Sequence, residues 1–214
     1  MADSRTTEGR IDAFNKQFDL IKSGLTNTVG QHEKMGKKAT KLKDNIEGSI
    51  KLEPFGELET ALAAVRDALA EIEREREKAI TTRMQGSVLG KLNAMDTDLK
   101  KPMNFAAKEL ASKKKKLEKE TKKTTINETA VQDARKGLAD SEVAFYQTLP
   151  KFEEGRVEDT KALLMEYCNS MLYFHCKSIE QLSNAMRALG KVDSSKAKKA
   201  MEKVIKKEGI KTKR

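Results

Sequence analysis

Residues able to do acid–base or metal chemistry are few in this chain. The histidines are His32 and His175, and the cysteines are Cys168 and Cys176. Cys168, His175 and Cys176 fall within one stretch of helical spacing, but a zinc site needs a fourth ligand and inward convergence, and neither is evident. Each histidine lies on or beside an apolar stripe, which assigns it a packing role. Cysteines eight apart on a helix are separated by about 12 Å of rise. A disulfide spans a Cα separation of about 7 Å at most, so the two do not bridge each other. A reduced, cytoplasmic setting is the simplest reading. No Gly-rich phosphate loop and no nucleophile elbow is present. The run Glu71-Ile72-Glu73-Arg74-Glu75-Arg76-Glu77 interleaves its signs and reads as a solvated helix face, not a carboxylate site. No catalytic residue, metal or cofactor is therefore expected, and an enzyme is the least favoured class.

Lysine is what the chain has in quantity. It carries 43 Lys and Arg against 33 Asp and Glu, a net charge of +10. The excess is local. Residues 113–123 hold seven lysines and two glutamates, and residues 191–214 hold ten basic residues and three acids. The rest of the chain is nearly neutral. Lys101, Lys108, Lys115 and Lys122 recur every seven residues, and Lys119 stands four after Lys115. Met103, Leu110 and Leu117 recur at the same interval, offset by two residues, or about 200° around a helix. The lysine row thus points away from the apolar seam. That is the appearance of a rail facing a polyanion, membrane or nucleic acid, and also of an ordinary solvated helix back. The cluster Lys113, Lys114, Lys115, Lys116, Lys119, Lys122 and Lys123 favours the rail.

The elements that must position these lysines are long helices. Charged residues make up 36% of the 214-residue chain and aromatics 5%, with 12 Gly, 3 Pro and no Trp. So few backbone breakers in so charged a chain argue against a β sandwich or barrel. The apolar fraction of 37% suits a thin core built from narrow helical stripes. The first stripe runs Ile11, Phe14, Phe18, Ile21, Leu25, Val29, His32, Met35, Ala39, Leu42, Ile46, Ile50. A break follows at Leu52-Glu53-Pro54-Phe55-Gly56, with Pro54 suited to the first turn of a new helix. The second stripe runs from Leu58 to Leu117, and Pro102 inside it predicts a kink near residues 98–102. Thr125-Ile126-Asn127-Glu128 has the form of a capping box. The third stripe comprises Val131, Ala134, Leu138, Ser141, Phe145, Leu149, Phe152, then, after an irregular patch at Gly155, Leu164, Tyr167, Met171, Phe174, Leu182, Met186 and Leu189. Pro150 predicts a second kink, and the helix stops near Gly190. The methionines read as core filler.

Three helices of roughly 40, 65 and 60 residues result, followed by a basic tail that is either a short helix over residues 197–205 or disordered. Three such helices bury little alone, so an obligate homodimer is expected. No run approaches the roughly 18 apolar residues of a membrane span, and residues 1–10 lack the apolar centre of a signal peptide. Ile11, Phe14, Phe18 and Ile21, flanked by Arg10, Lys16 and Lys22, offer a membrane-inserting face at the amino end. The same pattern runs on unbroken into the first bundle helix, which favours a packing role.

Two segments carry a family resemblance. One is Leu89-Gly90-Lys91-Leu92 through Asp98-Leu99-Lys100-Lys101, followed by Lys113-Lys114-Lys115-Lys116-Leu117. The other is Leu163-Leu164-Met165-Glu166-Tyr167 through Met171-Leu172-Tyr173-Phe174-His175-Cys176-Lys177-Ser178. With the helix order, they make residues 9–190 resemble a stand-alone domain of the BAR superfamily, with residues 191–214 as a basic tail. The resemblance implies an all-α, kinked, antiparallel three-helix coiled coil that pairs into an elongated, crescent-shaped homodimer. It further implies binding to anionic phospholipid membranes, peripheral and cytoplasmic, with curvature sensing or generation. The lipid-binding residues would be Lys101, Lys108, Lys113, Lys114, Lys115, Lys116, Lys119, Lys122 and Lys123. The competing reading is a helical adaptor for a small GTPase or cytoskeletal protein, as some members of the superfamily are. A nucleic-acid-binding coiled coil using the tail as a basic arm is disfavoured by few aromatics and no recognition motif.

Overall fold

The structure, a computed structural model, describes residues 7–125 and 127–208. Among these it is all helix and turn, with no strand. The first helix, α1, spans Thr7–Ile50. After the break, α2 (Gly56–Arg76) opens a second helical run that continues through α3 (Gly90–Met95) to α4 (Lys101–Thr121). Between them the winding widens to π over Glu77–Thr82, Met84–Leu89 and Asp96–Lys100. A single helix, α5 (Glu128–Leu189), forms the third run, and a short α6 (Ser194–Lys207) follows. No helix among the described residues is long and apolar enough to cross a membrane.

The π winding has a cause in the sequence. Met84, Val88 and Leu92 are buried, as are Met95 and Met103, with Leu99 half-buried between the last two. On an α-helix each step of four overshoots a full turn by about 40°, so such runs drift off the core. The wider π turn absorbs the excess residue and keeps the row facing inward. Its bonds reach five residues back: the Arg83 N–H donates to the Lys78 carbonyl, and the Lys101 N–H to the Asp96 carbonyl. The stretch where a kink is expected, residues 98–102, overlaps the π segment Asp96–Lys100. Pro102 sits in the first turn of α4, where its missing N–H costs little.

Other local expectations are corrected. Pro54 lies before α2, not in its first turn; Phe55 is the N-cap, and the Glu53 carboxylate accepts from the Phe55 N–H at 2.9 Å. Thr125 does not cap α5. Asn127 does, its Oδ1 accepting from the Ala130 N–H at 3.2 Å, and Ile126 lies outside the described residues. There is no irregularity at Gly155. Pro150 stands inside continuous α5, at the position where a kink is expected. A Cβ at Gly155 would stand 3.2 Å from Leu99 Cδ2, so glycine lets α5 approach the π segment closely.

The chain divides into two compact units. One comprises residues 1–28 and 84–169. Its helices run antiparallel: Asn15 pairs with Asn104, and Asp19 with Lys100, across α1 and the second run. The core holds Phe14, Phe18 and Leu25 of α1, Met103 and Leu110 of α4, and Phe145, Phe152 and Leu163 of α5. Phe14 meets Phe152 edge-on with ring centroids 5.1 Å apart. Because Ile11, Phe14 and Phe18 are buried here, they are not an inserting face.

The other unit comprises residues 29–83 and 170–214. Its core is thinner, with Ala61, Ala68, Ala79 and Ala185 beside Val29, Ile72, Ile80 and Phe174. Several residues of the apolar stripes are exposed in it, namely Met35, Leu42, Leu182, Met186 and Leu189. Methionine is thus core filler at Met84, Met95 and Met103 and surface at Met35, Met165, Met186 and Met201.

Candidate functional site

The α4 sequence is rich in Lys, Glu, Ala and Leu, good helix formers, and this holds its lysines in fixed register. Met103 and Leu110 are buried and Leu117 half-buried. Lys101, Lys108 and Lys115 are exposed on the opposite side. Lys122, next in the row, caps the helix, its N–H donating to the Glu118 carbonyl at 3.2 Å. Lys114, Lys116, Lys119 and Lys123 are exposed as well. Lys113 is half-buried, its stem lying against Gly137 of α5.

The nine lysines do not form one patch. Lys101 stands about 30 Å along the helix from Lys122. Lys115, Lys119, Lys122 and Lys123, with Glu118, line a single open recess of about 360 Å³ at the end of the helix. Three of the nine have carboxylate partners. Lys101 meets Asp96 at 3.3 Å, Lys122 pairs with Glu118, and Lys123 meets Glu120 at 2.5 Å. The Lys122 ammonium, with Lys115 adding to it, holds the Glu118 carboxyl below its ordinary pKa. Lys108, Lys113, Lys114, Lys115, Lys116 and Lys119 make no ion pair among the described residues. Their charges are open to an external anion.

A polar cluster in the other unit replaces the solvated face expected at residues 71–77. Glu75 and Arg76 are buried and Glu73 half-buried. The Tyr173 hydroxyl donates to Glu75 Oε2 at 2.9 Å and Lys78 Nζ donates to Oε1 at 3.0 Å; these two bonds, the lysine's first, lower the Glu75 pKa. Arg76 Nη1 donates to Glu73 Oε2 at 2.8 Å, and the guanidinium lies over the Phe174 ring at 5.6 Å. Burial raises the Glu73 pKa, and Arg76 opposes that rise. His32 packs edge-on to Phe174 with centroids 5.9 Å apart, so its packing role holds. Burial, then the charge of Arg76, lowers the His32 pKa. His175 is exposed, contrary to the packing role expected of it. Cys168 and Cys176 are unbridged and exposed. Among the described residues no three His, Cys, Asp or Glu side chains come together as a metal site requires.

Two surfaces escaped the sequence reading. On α5, Leu172, His175, Ile179, Leu182, Met186 and Leu189 are all exposed, at alternating steps of three and four. The signal was the interval of seven joining Leu172, Ile179 and Met186. In the tail, α6 presents Met201 and Val204 to solvent beside six lysines. Its amphipathic period was present in the sequence but masked by the lysine count.

No family model matches the chain, and no curated protein matches it. Among solved structures, the N-terminal I-BAR domain of D. discoideum IBARa aligns with 92% of this chain and 91% of its own, at 13% identity and a TM-score of 0.39.

Proposed function

We propose that this chain is a non-enzymatic helical scaffold that pairs into a homodimer and docks on anionic lipid membranes, where it senses or generates curvature. The observation that carries the reading is the set of six exposed or half-exposed lysines on α4 that make no ion pair among the described residues. Lysines near an anionic leaflet contribute about 1 kcal/mol each, so the set is enough for peripheral adhesion when doubled in a dimer. The recess lined by Lys115, Lys119, Lys122 and Lys123 is the place for a phosphorylated headgroup. Adhesion of this kind is screened within about 8 Å at physiological salt, so it falls steeply as salt rises.

Co-sedimentation with phosphatidylserine-rich vesicles at low and high salt, with the pellets viewed by negative-stain microscopy, tests the reading. Binding at low salt, loss at high salt and tubulated vesicles are expected. Lys113→Glu, Lys114→Glu, Lys115→Glu and Lys116→Glu together should cut binding at least tenfold, since each reversal replaces an attraction of about 1 kcal/mol by a repulsion. Absence of binding at low salt would sink the membrane reading and leave the helical adaptor for a GTPase or cytoskeletal protein as the better account.

A further inference from the structure

The tail helix α6 carries three features together. Ala197, Met201, Val204 and Ile205 fall within an arc of about 100° on a helical wheel. Lys198, Lys199, Lys203, Lys206 and Lys207 dominate the remainder, with Glu202 among them, and none of these five lysines makes an ion pair among the described residues. No residue of α6 is buried; Met201 is 57% and Val204 47% exposed. Ala197 and Ile205 are half-buried, but Met201 and Val204, beside a dense row of free cations, find no packing partner that buries them among the described residues. The helix is nonetheless anchored at its start. Asp193 caps it, accepting from the Ser195 N–H at 2.9 Å. Glu57 at the start of α2 accepts from the Asp193 N–H at 3.3 Å and from Lys196 Nζ at 2.7 Å.

We infer that α6 is a second lipid-contact element, which lies in the interface of an anionic leaflet with Met201, Val204 and Ile205 inserted among the acyl chains. Charge complementarity selects this occupant. A second copy of α6 would bring five free lysines against five, which repel. A protein groove would have to supply an apolar trench rimmed by as many carboxylates. An anionic leaflet supplies both as a single surface. The inference adds insertion to the adhesion proposed for α4, and it rests on residues of the other compact unit.

The chain has no tryptophan, so Met201→Trp in the 214-residue chain gives one reporter on the apolar face. The probes are phosphatidylcholine vesicles with and without phosphatidylserine, and the mixed vesicles again with brominated acyl chains. The expected result is a blue shift and bromine quenching on the phosphatidylserine vesicles and neither on pure phosphatidylcholine. At a lipid concentration raised to restore binding, both should persist when the four lysines at 113–116 are reversed to glutamate. Adding Val204→Glu, at an exposed position that the fold does not use, should abolish quenching and weaken vesicle binding about tenfold. Vesicle sedimentation without blue shift or quenching would overturn insertion by α6 and leave adhesion by α4 standing. No sedimentation and no shift would overturn both. A blue shift that grows with protein concentration in the absence of vesicles would assign the face to self-association and overturn the inference.

Discussion

His32 is the residue whose chemistry the fold changes most visibly. Its Nδ1 is buried without a hydrogen-bond partner, and its ring faces Phe174, Arg76 and His175. Burial and the Arg76 charge depress its pKa, so the folded chain takes up this proton at a lower pH than the unfolded chain does. Stability is therefore lost as pH falls below the ordinary histidine value of 6.5 towards the depressed one. Glu73 works the other way: its raised pKa favours the folded state below the ordinary value of 4.5, and that advantage is lost as pH rises through the raised value. His32→Phe keeps ring-on-ring packing and removes only the histidine contribution. Urea midpoints at about pH 7.5 and about pH 5.5 should then fall less for the variant than for the wild type. Equal falls would show that His32 carries no part of the acid sensitivity. At this scale the sequence was half legible. Periodicity placed His32 on a packed stripe, but it could not show that Glu75 and Arg76 turn inward. Their partners, Tyr173 and Phe174, come from about 98 residues further along the chain.

Among the elements, the number, order and approximate lengths of the three helical runs followed from steps of three and four and from two polar breaks. The boundaries were less legible, because short-range chemistry offered two answers at each. Thr125 and Asn127 are both good caps, and the structure uses Asn127. The π winding was written in the sequence as consecutive steps of four, from Met84 to Val88 to Leu92 and from Met95 to Leu99 to Met103. Reading these as ordinary helix missed that the row would otherwise drift out of the core. If each π segment absorbs one surplus residue, removing that residue restores α winding and leaves both flanks in register. Deleting Gly86, which is exposed and has nothing within 4 Å of an added Cβ, should cost no more than about 1 kcal/mol. Deleting the exposed Asp67 from regular α2 rotates every later core residue by about 100° and should cost about 4 kcal/mol or more. Urea unfolding followed by far-UV circular dichroism compares the two. Equal losses would mean that the π turns are not separable insertions.

For the whole molecule, the apolar stripes divide into those the chain covers and those it does not, and periodicity does not distinguish them. Leu182, Met186 and Leu189 have the spacing of core residues yet are 47%, 71% and 42% exposed. With Leu172 and Ile179, at 64% and 65%, they continue an a/d seam over more than two heptads of α5. His175 occupies one of its positions. No described residue of its own unit buries this seam, and half of that unit's apolar core is alanine, so pairing with a second copy is the expectation. The lysines of α4 are not part of this seam. A second copy meets the requirement because, apart from His175, the seam is apolar and holds no Asp, Glu, Lys or Arg to repel its own image. The molecule should therefore sediment as a dimer, and its melting temperature should rise with protein concentration. Ile179→Glu would bury two unpaired carboxylates at the centre of the interface and should weaken association at least a hundredfold, yielding monomers of lower stability. Leu20→Glu, an equally exposed apolar position on α1 in the other unit, should leave association unchanged. A wild-type chain that stays monomeric at high concentration, or an Ile179→Glu chain that still pairs, would assign the seam to a different partner and take the doubled lysine surface away from the membrane reading.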